Sequence, residues 1–411
     1  MPVDYSQGPN MAVIIPVRHP ELPRKLPALH ALAALLGVAA PTPAQWQELG
    51  EALTLGDPPM DAVVDWMYRD GLDVTWPLFE QALRHGITEM RDAPAPLWDF
   101  FLGVESPPHW LDPEQLRRGA RVYRLGGVDG VYVARDVAFL GGYLASGFNK
   151  TLLRTGALEK GPAKRFAETA QWALDVTAEN GLRPGGLGYR STIQVRLIHA
   201  LVRRRVATMP DWQGESWGLP INQTDMAATL VGALIAPIVG SVPMGIIAPR
   251  RDLDAAAHLV RYVGRLIGVQ DSFLPVDFTD AVRVLYHTLA AITDPDETTP
   301  QLAVPMADDP LTWHYRNFPE LRRRIARAQH LSIAGALLGP KAMRRLGLQP
   351  YMPPWYPLLR VPVNLVRSGL IRLPGGAERV AAHGRRAQEA FQRTLTGSDS
   401  VVIGESVEGF R

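Results

Sequence analysis

Between Arg165 and Arg203 the sequence reads as one helix, a glycine-rich reversal and a second helix, and this pair constrains the chain most. Pro162 suits the first turn of the first helix. Arg165, Glu168, Thr169 and Trp172 follow at i, i+3, i+4 and i+7 and share a face, while Phe166, Ala170 and Ala173 form another. The run from Gly181 to Gly188 holds four glycines and Pro184. No strand precedes it, so a chain reversal explains it better than a dinucleotide loop. Ser191 or Thr192 is placed to cap the second helix, which then runs from Ile193 to Val206 without Gly or Pro. Val195, His199, Val202 and Val206 make an apolar stripe with the imidazole at its edge.

His199 is the best candidate metal ligand. A neutral imidazole binds iron well, and Arg196 and Arg203, one turn to either side, can neutralise two carboxylates such as haem propionates. The same spacing also fits a core histidine beside two solvated arginines. Glu168 likewise reads either as a site carboxyl or as a surface partner of Lys164 or Arg165.

Composition narrows the classes. In 411 residues, 46% are hydrophobic and 20% charged, which describes a globular chain. A formal charge of +2 gives no global field for nucleic acid. Arginine outnumbers lysine 38 to 5, and Arg203-Arg204-Arg205 and Arg322-Arg323-Arg324 read as solvated helix faces. Cysteine is absent, which excludes disulfides, thiolate ligation and iron–sulfur clusters and agrees with a cytoplasmic location. Leu26 to Ala40 imitates an export signal but begins far from Met1 and includes Pro27 and His30. Met226 to Pro249 carries no charge and has the length of a membrane span, yet Pro237, Pro243 and three glycines suit bent buried helices. No integral span is expected; peripheral membrane contact stays open.

Along the chain, residues 1–25 read as an N-terminal arm, 26–396 as a single helical domain and 397–411 as a C-terminal tail. Helices are expected near 43–55, 57–70, 75–90, 136–154, 252–268, 277–292, 316–338 and 376–396, with another opened by Asp112-Pro113-Glu114. Asp57-Pro58-Pro59 opens the second of these, and Thr224-Asp225 is a plausible cap for the uncharged helix. Loops are expected at 94–108 and, as a lid, at Thr293 to Asp309, with a Pro- and aromatic-rich stretch from Gln349 to Pro362. On the helix at 136–154, Lys150 shares a side with Phe139 and Tyr143 and either faces the same cavity or ends in solvent. Val131-Tyr132-Val133 is the one brief strand-like pattern.

These motifs, in this order, resemble the bacterial latex-clearing proteins (rubber oxygenases) and the related MpaB-type oxygenases. The resemblance runs over roughly residues 45–365. It rests on Gly56-Asp57-Pro58, on Arg165-Phe166-Ala167-Glu168-Thr169 with Trp172, on Val195 to Ala200, and on Trp217 to Gln223 followed by Thr229. Weaker echoes are Phe273-Leu274-Pro275 before Ala281, and Leu346-Gly347-Leu348.

The resemblance implies a mainly α fold, a globin-like helical core with additional surrounding helices, that binds haem b without a covalent link. His199 takes the place of the proximal ligand, with Arg196 beside it; Arg165 and Thr169 take the distal places. Known members use dioxygen to cleave carbon–carbon double bonds in polyisoprene or prenyl chains. Two positions depart from the rubber-cleaving pattern. Glu168 stands where those members carry a distal lysine, and Asn149 stands near the level of their catalytic glutamate, with no carboxylate between Asp136 and Glu159.

The expectation is a haem-dependent oxygenase acting on an apolar, unsaturated small molecule, with an electron donor as further partner. Glu168 would serve as acid or base beside bound oxygen, Arg165 and Thr169 would orient it or donate to the oxygen adduct, and Lys150 would stand in for the missing distal lysine. A peroxidase or peroxygenase on the same scaffold, a haem sensor or carrier, and a haem-free helical scaffold are the alternatives.

Overall fold

The computed structural model describes residues 13–397, and these form helices joined by turns, with no strand among them. Val131-Tyr132-Val133 lies inside helix Gly127–Val133. The Pro-rich stretches fold further than expected. Residues 94–108 contain helix Ala95–Glu105, the supposed lid contains helix Thr298–Asp308, and Gln349 to Pro362 runs into helix Trp355–Leu370. In the second case Asp296 starts the helix by accepting from the Thr298 backbone N–H (2.9 Å). A proline in a first turn gives up an N–H that has no helical partner anyway, so Pro300 does not oppose that start.

The central pair are helices Pro162–Val176 and Leu187–Ala207, hereafter the Glu168 helix and the His199 helix. The reversal between them is a series of tight turns closed by backbone bonds such as Gly186 N–H to Arg183 O (2.8 Å) and Tyr189 N–H to Gly181 O (2.8 Å). Gly188 meets the end of the Glu168 helix so closely that a Cβ would lie 2.6 Å from Asp175 O. The His199 helix therefore begins at Leu187, earlier than expected. Ser191 and Thr192 do not cap it. Thr192 instead accepts from Trp172 Nε1 (3.0 Å) and donates to Gly188 O (2.6 Å), bracing the two helices sideways.

The Glu168 helix straddles two apolar clusters. Trp172 and Val176 join the larger, with Ile193, Leu197 and Leu201 of the His199 helix and Val260 and Val263 of helix Arg250–Ile267. Phe166 and Ala167 join the smaller, with Met306, Trp313, Ala334 and Phe391. A close crossing sets one wall of the larger cluster: a Cβ on Gly119 would lie 2.2 Å from Ala255 O.

The uncharged stretch is broken as expected, into helix Gln223–Leu234, helix Ala236–Ser241 and a 3-10 turn Val242–Met244. By length and composition alone Gln223–Met244 could cross a membrane, and half of it is buried inside the protein. Its cap is Asn222, whose side chain accepts from the Asp225 N–H (2.9 Å); Thr224 and Asp225 have other partners. Residues 13–25 form an arm with a turn at Val17-Arg18-His19, pinned by Arg18 on Asp225 (2.6 Å) and by Pro20 O accepting from Trp46 Nε1 (2.9 Å). Leu26 to Ala40, the export-signal look-alike, contains helix Pro27–Leu35.

Candidate functional site

A cavity of about 1870 Å³ lies among these helices, and most of its wall is aliphatic. Val195, Ile198, His199 and Val202 reach it from one helix, and Arg165, Glu168, Thr169 and Trp172 from the other. The shared faces read from helical spacing are thus cavity faces, with Val206 buried beyond the wall. The segment Arg24 to Leu36, with helix Pro27–Leu35, closes part of the opening.

His199 is only partly shielded by neighbouring atoms, yet it behaves as a fully desolvated group, because the exposure it keeps is to the cavity. Its pKa is lowered to about 4, by desolvation first and by the Arg203 charge second, against a smaller raising effect of Asp57. The imidazole is therefore neutral over the physiological range. Its Nδ1 is buried with no hydrogen-bond partner.

Arg196 and Arg203 are directed elsewhere. At i−3 and i+4 from His199 they sit roughly 40–60° round the helix from it, on a shoulder that faces helix Pro58–Asp70. Arg196 grips Asp57 through Nε and Nη2 (2.6 and 2.7 Å), donates to Leu266 O (3.1 Å) and lies over the Phe100 ring. Arg203 grips Asp61 (2.7 Å) and donates to Ile221 O (2.8 Å). Neither lines the cavity, so the expected contact with cofactor carboxylates is replaced by ion pairs, buried for Arg196–Asp57 and half-buried for Arg203–Asp61. Those aspartates were missed at the sequence level. Asp57 looked like a helix cap, but its carboxylate belongs to Arg196 and makes no cap bond.

Arg165 donates from Nη2 to the Tyr143 hydroxyl (2.9 Å), while its Nε and Nη1 are buried without partners. Tyr143 is fully buried, and burial pushes its pKa up to about 12 against the lowering effect of Arg165, so it stays a phenol. Glu168 pairs through Oε2 with Lys160 (2.7 Å), not with Lys164 or Arg165, and its Oε1 is buried and unpartnered. The Thr169 hydroxyl donates to Arg165 O (3.1 Å), which leaves its oxygen as an acceptor instead of the expected donor. Lys150 does not reach the cavity. Its ammonium pairs with Asp296 and lies 5.4 Å from the centre of the Trp217 ring. Asn149 is buried nearby, donating to Tyr143 O (2.7 Å) and Thr298 Oγ1 (3.2 Å).

Among the described residues no group of three or more His, Asp or Glu side chains could hold a metal ion unaided. The site thus offers a solitary neutral imidazole, a guanidinium with two unused donors and a carboxylate oxygen without a partner, all belonging to residues that line one apolar cavity.

An all-helical oxygenase-type fold is what the comparisons find. The family model described as "ER-bound oxygenase mpaB/B'/Rubber oxygenase, catalytic domain" matches residues 130–368, more than half of the chain, and the chain belongs to that family. The rubber oxygenase of Streptomyces sp. (strain K30) is 27% identical over 237 residues, which cover 55% of this chain and 55% of that relative. The structure of the latex clearing protein in its closed state superposes with a TM-score of 0.60 at 23% identity, over 82% of this chain and 88% of the other.

Proposed function

We propose that this chain is a haem b-dependent oxygenase acting with dioxygen on an apolar, unsaturated small molecule of the prenyl or isoprenoid kind. The observation that carries the reading is His199: a neutral, unpartnered imidazole on the wall of a large apolar cavity. One imidazole holds a metal only when other ligands complete the sphere, and a porphyrin supplies four nitrogens in a plane. The chain's residues fit that group: an apolar cavity of sufficient volume, a neutral nitrogen ligand and unused Arg165 donors. When bound, the haem would supply the binding and activation of dioxygen.

Within that reading His199 holds the iron. Arg196 and Arg203, held in their ion pairs away from the cavity, do not take the neutralising role first given to them. Arg165 is held by Tyr143 on one side and offers Nε and Nη1 to a polar group on the other. Glu168 offers Oε1 as a proton acceptor, its other oxygen being fixed by Lys160. The aliphatic wall excludes water and accepts a hydrocarbon substrate.

The test is turnover of isoprenoid substrates with dioxygen plus reductant, compared with hydrogen peroxide. The oxygenase reading expects activity with dioxygen and a loss on the order of 10²-fold or more in Glu168→Gln. Full activity in Glu168→Gln and Glu168→Ala would remove Glu168 from the mechanism. Activity with peroxide alone would favour the peroxygenase alternative.

A further inference from the structure

Helix Trp355–Leu370 is built inside out. Its inward positions are polar. Arg360 grips Asp129 through Nε and Nη2 (3.0 and 2.8 Å), Asn364 Nδ2 donates to Met244 O (3.1 Å), and Arg367 Nη1 donates to Gly126 O (3.2 Å). Ser368 donates to Gly245 O (2.9 Å) and accepts from the Ile247 N–H (3.0 Å). Its outward positions are apolar: Leu358, Leu359, Val363, Leu365, Val366 and Leu370 are each 46–66% exposed. A helix that meets water shows the reverse arrangement. This outward face asks for an apolar partner.

Two neighbouring features say which. The face adjoins an opening of the cavity: Val242 and Ile247 are exposed and also line it, and Leu365 packs against the Gly245 turn between them. The surroundings are mainly cationic, with Glu378 at the rim paired to Arg121 (2.8 Å). From Leu321 to Ala377 the sequence holds ten Lys and Arg and no Asp or Glu. Of these, Lys341, Arg344, Arg345 and Arg372 are exposed, and Lys341 and Arg345 line the cavity too.

We propose that this face docks on an anionic phospholipid bilayer. The helix lies in the interface plane, its leucines and valines among the acyl chains and the rim arginines at the phosphates. The cavity mouth then opens toward the lipid, where an apolar substrate is concentrated. At 16 residues the helix is about 24 Å long, short of the roughly 30 Å hydrocarbon core, and its polar side is tied to the protein, so it lies on the bilayer and does not cross it. A second copy is a poor occupant. A two-fold contact through this face would set Lys341, Arg344 and Arg345 against their own copies, and the nearby acid Glu378 is already paired with Arg121. The proposal stands whether or not the cavity holds haem.

The experiment is flotation of the full chain with vesicles of phosphatidylcholine, alone or mixed with phosphatidylglycerol. Wild type is expected to float with the mixed vesicles, about tenfold more weakly with the neutral ones, and less as salt rises. Leu359→Glu with Val366→Glu leaves the inward polar anchors intact and should abolish flotation while helical circular dichroism is kept. Arg344→Gln with Arg345→Gln should weaken binding to the mixed vesicles alone. Hydrogen exchange of the wild type with and without vesicles needs no variant, and added protection confined to 242–247 and 355–373 is expected. The proposal is overturned if wild type floats with neither vesicle, if the double glutamate variant floats normally, or if protection falls elsewhere. It is equally overturned if the wild type is a dimer that this variant makes monomeric and that binds no vesicle.

Discussion

His199 and His330 are both desolvated imidazoles in helices, and their surroundings differ. His330 Nδ1 lies 2.7 Å from Asp136, which pairs through its other oxygen with Arg135, which in turn reaches Asp309 and Met306 O. Tyr132, Trp313 and Phe391 pack their rings round it. His199 has no hydrogen-bonded carboxylate, no aromatic ring contact and open space before it. Desolvation lowers the pKa of both, but only at His330 does a bonded carboxylate push back. Each keeps one buried ring nitrogen without a partner, Nδ1 of His199 and Nε2 of His330, so the difference between them lies in the cavity, which His199 lines and His330 does not. His330 is tied into a buried polar network; His199 is the imidazole on which the proposed function rests.

Removing a partner should separate the two most sharply. Asp136→Asn or Arg135→Met leaves buried charge uncompensated and should cost about 3–5 kcal/mol in urea unfolding. His199→Ala in the cofactor-free chain should cost less than about 1 kcal/mol, because the imidazole makes no bond there. Equal losses would erase the contrast. The next effect is pH dependence. The unfolded imidazole titrates near 6.5 and the folded one near 4, so between these values the unfolded state binds more protons. Stability is then complete above pH 6.5 and falls toward pH 4, by about 2–3 kcal/mol for this group. His199→Ala should flatten that part of the acid limb and leave the part due to His330 and the other desolvated histidines. A smaller change tests the distal side. Tyr143→Phe removes the one partner of Arg165 and should cost about 1–2 kcal/mol, measured by thermal or urea unfolding.

The helix pair was legible because helical spacing and a glycine-rich reversal are local properties, and the cavity faces of both helices follow from them. What lay outside local pattern was partner choice. Arg196 and Arg203 looked like cofactor ligands because Asp57 and Asp61, 139 and 142 residues away, could not be placed beside them. Lys150 was similarly claimed by Asp296. Helix Thr298–Asp308 was hidden by Pro300 and Pro305, and helix Trp355–Leu370 by Pro357 and Pro362. In the second case the polar side also faces inward, where it bonds Met244 O and Gly126 O. Tyr143 was visible on a face with Phe139, but its bond to Arg165 joins positions whose helices had no readable crossing.

The visible absorption spectrum of the purified chain, expressed with ample porphyrin, bears most directly on the assignment of His199. The wild type should show a haem Soret band in a stoichiometric complex. His199→Ala, still helical by circular dichroism, should lose it. A colourless wild type, or an unchanged band in His199→Ala, would contradict the account.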